Sequence, residues 1–184
     1  MKIELIWDTT PALKSNQIIE FEKSIDRIIK NDYTLNVTSA NIKSRERESK
    51  GEEIKDIEIQ GELIINLIIT NKQTVQKINS EYRNKDKGTD VLTFPLSTDI
   101  NIEGQSFEPA EIYISQENAL ENCKEHGTSY LEELSILFIH GLLHAFHFDH
   151  EAGESEKEIM LKHEKKLLSI TGLKNIQPLT TYGT

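Results

Sequence analysis

Residues 129–150 read Ser129-Tyr-Leu-Glu132-Glu-Leu-Ser-Ile-Leu-Phe-Ile-His140-Gly-Leu-Leu-His144-Ala-Phe-His147-Phe-Asp-His150. This stretch decides the fold. Ser129-x-x-Glu132 has the form of a capping box, in which each side chain satisfies the other residue's backbone N–H, so a helix is predicted to open here. Leu131, Leu134, Leu137 and Phe138 make it strongly apolar, and it is expected to pack at the centre of the molecule. His140 and His144 lie one turn apart on one face of it, a spacing that lets two imidazole nitrogens converge on a Zn²⁺ at about 2.0–2.1 Å.

Two residues compete to be the third ligand. His147 continues the same face, but in a straight helix it sits about 10.5 Å along the axis from His140, too far to share one ion. His150 reaches the ion if the chain leaves the helix near residues 146 to 148. The ligand set is therefore read as His140, His144 and His150, holding one Zn²⁺. A polar histidine run is often plain surface. Three imidazoles beginning inside an apolar helix would, however, be costly to bury without a shared partner. His147 is read as solvent-facing or as outer support for the site, and His126 and His163 as structural.

Outward from this helix, strands and helices alternate without repeat or linker. Strands are predicted at Lys2–Trp7, within Ile54–Thr70 with a break at Gly61, at Asp90–Leu96 and at Glu111–Ser115. Helices are predicted over Ser15–Lys30 with Ser15 as N-cap, Asn71–Tyr82 and Ser115–His126, the last ending at Gly127. A further helix is predicted to open at a second capping box, Ser155-x-x-Glu158, and to stop near Gly172. Residues 41–55, 84–89 and 97–104 read as loops, and the chain after Lys174 as a fraying tail. The outcome is an α+β domain: a small mixed β-sheet packed with helices around the central apolar helix.

The chain has 184 residues, 36% of them hydrophobic and 28% charged, which suits one soluble domain. Its longest apolar run, Leu63 to Ile69, is interrupted by Asn66 and falls well short of the roughly 20 residues of a membrane helix. A single cysteine, Cys123, permits no internal disulfide, and the first residues lack the order of a secretory signal, so a cytoplasmic location is expected. Cys123 itself reads as a packed small side chain. The formal charge of −10 argues against a broad phosphate-gripping surface while leaving room for a small basic site. Residues 81–90 are such a place: Arg83, Lys85 and Lys87 balance three acids, making a neutral patch on an acidic chain.

Histidines at i and i+4 suggest a zinc protease, but there the second position of H-E-x-x-H supplies the general base. Here it is Gly141, so the metal geometry remains while the protease chemistry is lost. Three neutral imidazoles leave one vertex open for water or a phosphate oxygen, the catalytic rather than the structural arrangement of zinc.

His140-Gly-x-Leu-His144 with Asp149-His150 resembles the H-G-x-L-H-L-x-G-Y-D-H signature of the YbeY family, bacterial rRNA-maturation endoribonucleases. Upstream, Ile78-Asn79-x-x-Tyr82-Arg83-x-Lys85-Asp86-x-x-Thr89-Asp90-Val91-Leu92-Thr93-Phe94-Pro95 resembles that family's L-N-x-x-Y-R-x-K-D-x-x-T-D-V-L-S-F, and Glu111-Ile112-Tyr113-Ile114 stands near its G-D-I-x-I. The resemblance runs from about Ile64 to Met160. It implies a zincin-like fold and a metal-dependent hydrolase domain over residues 1–174, with 175–184 as a flexible tail. It also implies one zinc on the three histidines and cleavage of single-stranded RNA. The work implied is 16S rRNA 3′-end processing and ribosome quality control, with ribosomal small-subunit proteins or an assembly GTPase as partners, and neither DNA nor membrane. Arg83 then occupies the functional arginine position, where its planar fork could stabilise charge on a phosphate. From the residues alone it reads equally as a solvated arginine or a partner of Asp86 or Asp90. His147 stands where the family has the glycine that lets the chain leave the helix, which predicts a positive φ for a residue with a side chain. Asp149 either orients a ligand imidazole or caps the turn.

Two other readings compete. One is a non-catalytic, zinc-stapled ribosome-assembly or protein-binding factor, favoured by the acidic charge. The other is a zinc-peptidase relative that lacks the motif glutamate.

Overall fold

The computed structural model describes residues 1–31, 64–83, 88–96, 109–174 and 176–182. The predicted loops at 41–55 and 97–104, and most of that at 84–89, lie outside these, as does the first part of the Ile54–Thr70 strand region. The elements run β1 (Lys2–Trp7), α1 (Ser15–Ile29), β2 (Ile64–Thr70), α2 (Lys72–Arg83), β3 (Val91–Phe94), β4 (Ala110–Ser115), α3 (Gln116–His126), α4 (Tyr130–Ala145) and α5 (Glu154–Thr171). A short 3₁₀ turn comes last, at Leu179–Thr181. The architecture is α+β, as expected.

The four strands form one mixed sheet in the order β1-β2-β4-β3. β1, β2 and β4 run parallel, and β3 pairs antiparallel with β4 at the edge. β2 is central in the sheet and buried on both faces from Leu67 to Thr70, which is why its sequence, Ile-Ile-Asn-Leu-Ile-Ile-Thr, is nearly continuous in apolar residues instead of alternating. Register then stacks Ile65 on Ala110, Leu67 on Ile112 and Ile69 on Ile114, all wholly buried. Each of the leucine and isoleucine side chains contributes about 1.5–3 kcal/mol by leaving water.

α4 lies across that face of the sheet. Thirteen of its sixteen residues are buried, so this helix is enclosed on every side rather than amphipathic. Its capping box forms as predicted: Ser129 Oγ accepts the Glu132 N–H, and Glu132 accepts the Ser129 N–H at 2.7 Å. Gly141 sets how closely helix and sheet approach. A Cβ there would lie 2.6 Å from Ile112 Cγ2, 3.1 Å from Thr93 Oγ1 and 3.2 Å from Val91 Cγ2. A glutamate at this position would have to enter the sheet, so steric crowding as well as sequence denies this helix the general base of a zinc protease.

Three local expectations fail for identifiable reasons. The cap of α1 is Lys14 rather than Ser15, because the Gln17 side chain turns back to accept the Lys14 N–H at 3.0 Å. α5 starts two residues earlier than a Ser155 box would place it, with Gly153 at φ +153° as its cap. The tail does not fray over 176–182: Leu179 and Thr180 are buried against α4 and α5, and Tyr182 stacks on His126 with ring centroids 3.6 Å apart. One apolar anchor, one buried threonine and an aromatic stack seat a segment whose sequence shows no periodicity.

Candidate metal centre

α4 ends in a Schellman turn. The His147 N–H donates to the His144 carbonyl at 2.9 Å, and the Phe148 N–H donates to the Leu143 carbonyl at 3.0 Å. The left-handed residue such a turn requires is His147, at φ +64°, and among the described residues it alone holds positive φ without being glycine. Its ring is tied down by Nε2, which lies 2.9 Å from the Leu96 carbonyl oxygen. The Leu96 N–H in turn donates to the Ala145 carbonyl at 3.2 Å. A histidine thus performs the turn usually given to glycine, fastened by the strand end beside it. Asp149 caps the next stretch of backbone, accepting the Glu151 N–H at 2.9 Å, so the turn-capping alternative is the one observed.

The turn carries His150 back over the helix. The His140 and His144 rings lie 4.6 Å apart, His140 and His150 5.1 Å, and His144 and His150 5.3 Å, measured between centroids. One ligand atom from each lies within 4.8 Å of those of the other two, and the Nε2 atoms of His140 and His144 face each other at 3.1 Å. Two nitrogens bound to one tetrahedral zinc would stand about 3.3 Å apart. An all-imidazole donor set at this spacing fits a borderline transition metal better than a hard cation such as Mg²⁺. His147 points to the backbone and stays outside the cluster.

The cluster sits in a cavity of about 210 Å³ whose wall includes Thr89, Asp90, Thr93, Glu151 and Leu179. His140 forms its floor at 4% exposure, while His144 and His150 are half-buried at its mouth. Burial, then the neighbouring imidazoles of His140 and His150, lower the His144 pKa to about 4 against a smaller opposing effect from the Phe148 backbone. His150 is lowered too, first by burial and then by His140. Both rings therefore keep their lone pairs at neutral pH, the state a metal needs.

Sequence reasoning missed Glu164. Its Oε1 lies 2.8 Å from His140 Nδ1, with both side chains almost fully enclosed. The signal was present: Met160, Glu164, Leu167, Leu168 and Thr171 form the buried stripe of α5, and an acid on such a stripe needs a buried partner. Arg83 is the last residue of α2, which packs against β3 and β4, and its side chain lies outside the described residues. Cys123 is half-buried with Sγ donating to the Ala119 carbonyl at 3.1 Å, and burial pushes its thiol pKa up, as suits a packing residue. His163 lies against Phe148, and His126 pairs with Glu133.

A helix laid on a mixed sheet, ending in a three-histidine cavity, defines a zincin-like α+β protein whose site could hold one transition metal. The family model described as Endoribonuclease YbeY matches residues 27–172, and the chain belongs to that family. The chain is 40% identical over 115 residues to the Endoribonuclease YbeY of Bacillus licheniformis, covering 59% of this chain and 72% of that protein. It is also 40% identical over 119 residues to the Endoribonuclease YbeY of Campylobacter jejuni, covering 65% and 84%. The fold is similar to the solution structure of TM1509 from Thermotoga maritima, with a TM-score of 0.51 and 22% identity across 92% of this chain and 89% of that one.

Proposed function

We propose that this chain is a metal-dependent endoribonuclease that cuts single-stranded RNA, and that His140, His144 and His150 hold its single zinc ion. The observation that carries this reading is the convergence of three imidazoles in one open cavity. Membership of a family whose relatives are named endoribonucleases supports the reaction. A bound zinc would supply Lewis acidity and lower the pKa of a coordinated water.

The chain's own residues do the rest. His140, buried on the helix, orients the set; His144 and His150, neutral at physiological pH, offer lone pairs from the cavity mouth. Arg83 is assigned to the developing charge on the scissile phosphate, because a guanidinium can donate to two phosphate oxygens at once. Support for this comes from the motif containing it and from its place at the end of a helix packed on the strands beside the cavity. Thr89 and Thr93 line the same wall, their hydroxyls donating to the Val91 and Gly141 carbonyls.

In the cell the proposed task is maturation of the 16S rRNA 3′ end and ribosome quality control in the cytoplasm, alongside small-subunit proteins or an assembly GTPase. No helix of the described residues is long and apolar enough to cross a membrane. Residues 1–174 are taken as one hydrolase domain with 176–182 seated upon it. The test is cleavage of a single-stranded RNA by the zinc-loaded chain beside Arg83→Glu and His144→Ala. His144→Ala is expected to lose metal and activity together, and Arg83→Glu to lose activity with metal retained. Cleavage by Arg83→Glu at the parent rate contradicts the mechanism.

A further inference from the structure

Glu164 is a carboxylate used neither as a ligand nor in the proposed cleavage, and it is 1% exposed. Its oxygens are divided between two partners: Oε1 faces His140 Nδ1 at 2.8 Å, and Oε2 accepts the Thr180 backbone N–H at 3.4 Å. A carboxylate only accepts, so the ring proton of His140 belongs on Nδ1. Nε2 then keeps its lone pair toward the cluster, where it lies 3.1 Å from His144 Nε2. The residue that supplies the second contact is itself anchored. Leu179 is buried and lines the histidine cavity, and Tyr182 stacks on His126.

We infer that Glu164 is a positioning residue of the metal centre, setting which His140 nitrogen faces the ion, and that the seated C-terminal segment 178–182 holds Glu164 in that role. The inference rests on His140 being a ligand, as proposed above.

Glutamine is the discriminating substitution. It keeps the size of glutamate but has one acceptor oxygen and one donor nitrogen. If its oxygen faces Thr180, its NH₂ drives the His140 proton onto Nε2, where the ion must bind. If it turns the other way, NH₂ meets the Thr180 N–H donor to donor. Glu164→Gln in the full chain is therefore expected to weaken zinc binding about 10–100-fold in chelator competition, with its circular dichroism spectrum unchanged. Glu133→Gln, the matching change at the other buried histidine–glutamate pair, is expected to keep zinc affinity within about threefold. Thr180→Pro, which removes that N–H together with the buried Thr180 hydroxyl, is expected to weaken zinc binding several-fold, and parent affinity there overturns the role of the segment.

Zinc affinity of Glu164→Gln within threefold of the parent overturns the positioning role. If that variant fails to fold, nitrogen NMR of His140 in the metal-free parent decides instead: a proton on Nδ1 supports the inference, and one on Nε2 overturns it. His140→Ala separates the two levels. Parent-like zinc affinity in that variant contradicts the ligand assignment itself, whereas its loss beside an unaffected Glu164→Gln contradicts positioning alone.

Discussion

The central helix α4 enters two buried histidine–glutamate pairs, one near each end, and the two are built for different work. At its start Glu133 meets His126 of α3 at 3.1 Å; toward its end His140 meets Glu164 of α5 at 2.8 Å. Both pairs are nearly closed to water, with side chains 11% and 0% exposed in the first and 5% and 1% in the second. They differ in what surrounds the ring. His126 is covered by Tyr182, almost parallel to it at 12°, while the second nitrogen of His140 opens onto two further imidazoles. The carboxylates differ as well. Glu133 takes both His126 and Thr128 on Oε2, and its Oε1 has no hydrogen-bond partner among the described residues. Glu164 commits one oxygen to the ring and the other to the backbone of the tail. One pair ties down the C-terminus, and the other aims a nitrogen.

The largest effect should come from the rings. His140→Ala is expected to weaken zinc binding at least about 100-fold, because it removes a donor outright, whereas His126→Ala stays within about threefold of the parent. Chelator competition on the two variants checks this, and equal losses would erase the distinction between the pairs. Next in size is stability. His126→Ala leaves Glu133 enclosed with only the Thr128 hydroxyl, and a loss of about 2–3 kcal/mol in urea unfolding is expected. A loss below about 0.5 kcal/mol would mean that the pair anchors nothing.

Acid should also separate the two ends of α4. Above pH about 6.5 the His144 ring is neutral in both folded and unfolded chains and contributes nothing to pH dependence. Between there and its folded value of about 4, only the unfolded chain binds the proton, so stability falls as pH falls. The metal-free parent is expected to lose about 1–2 kcal/mol from this ring between pH 7 and pH 5, measured by urea unfolding at each pH. His144→Gln should flatten the slope; an unchanged slope would place its origin away from the cluster. The smallest effect is expected at the turn. His147→Gly relieves a left-handed side chain but gives up the contact to Leu96, so stability should move by no more than about 1 kcal/mol with zinc retained. Loss of zinc in this variant would make His147 part of the donor set.

Local periodicity and spacing control the features that were legible in the sequence. The capping box at Ser129, the apolar run of α4, the continuous apolar strand β2 and the i, i+4 histidines are short-range patterns, and each appears in the structure where expected. The positive φ at His147 was legible through the resemblance, because His147 stands where the family has the glycine that lets the chain leave the helix. The features that escaped depended on long-range partners. Nothing beside Glu164 in the sequence announces a histidine 24 residues away. Nothing near Thr180 shows that its backbone would meet that same carboxylate. Lys14 displaced Ser15 as cap because one glutamine side chain reached back, a choice that propensity does not decide.

The central claim is that three imidazoles share one ion, and X-ray absorption at the zinc edge of the loaded chain tests it most directly. The expected spectrum fits three histidine nitrogens at about 2.0–2.1 Å with one further light atom. A fit requiring two or fewer imidazoles, or a sulfur near 2.3 Å, would contradict it.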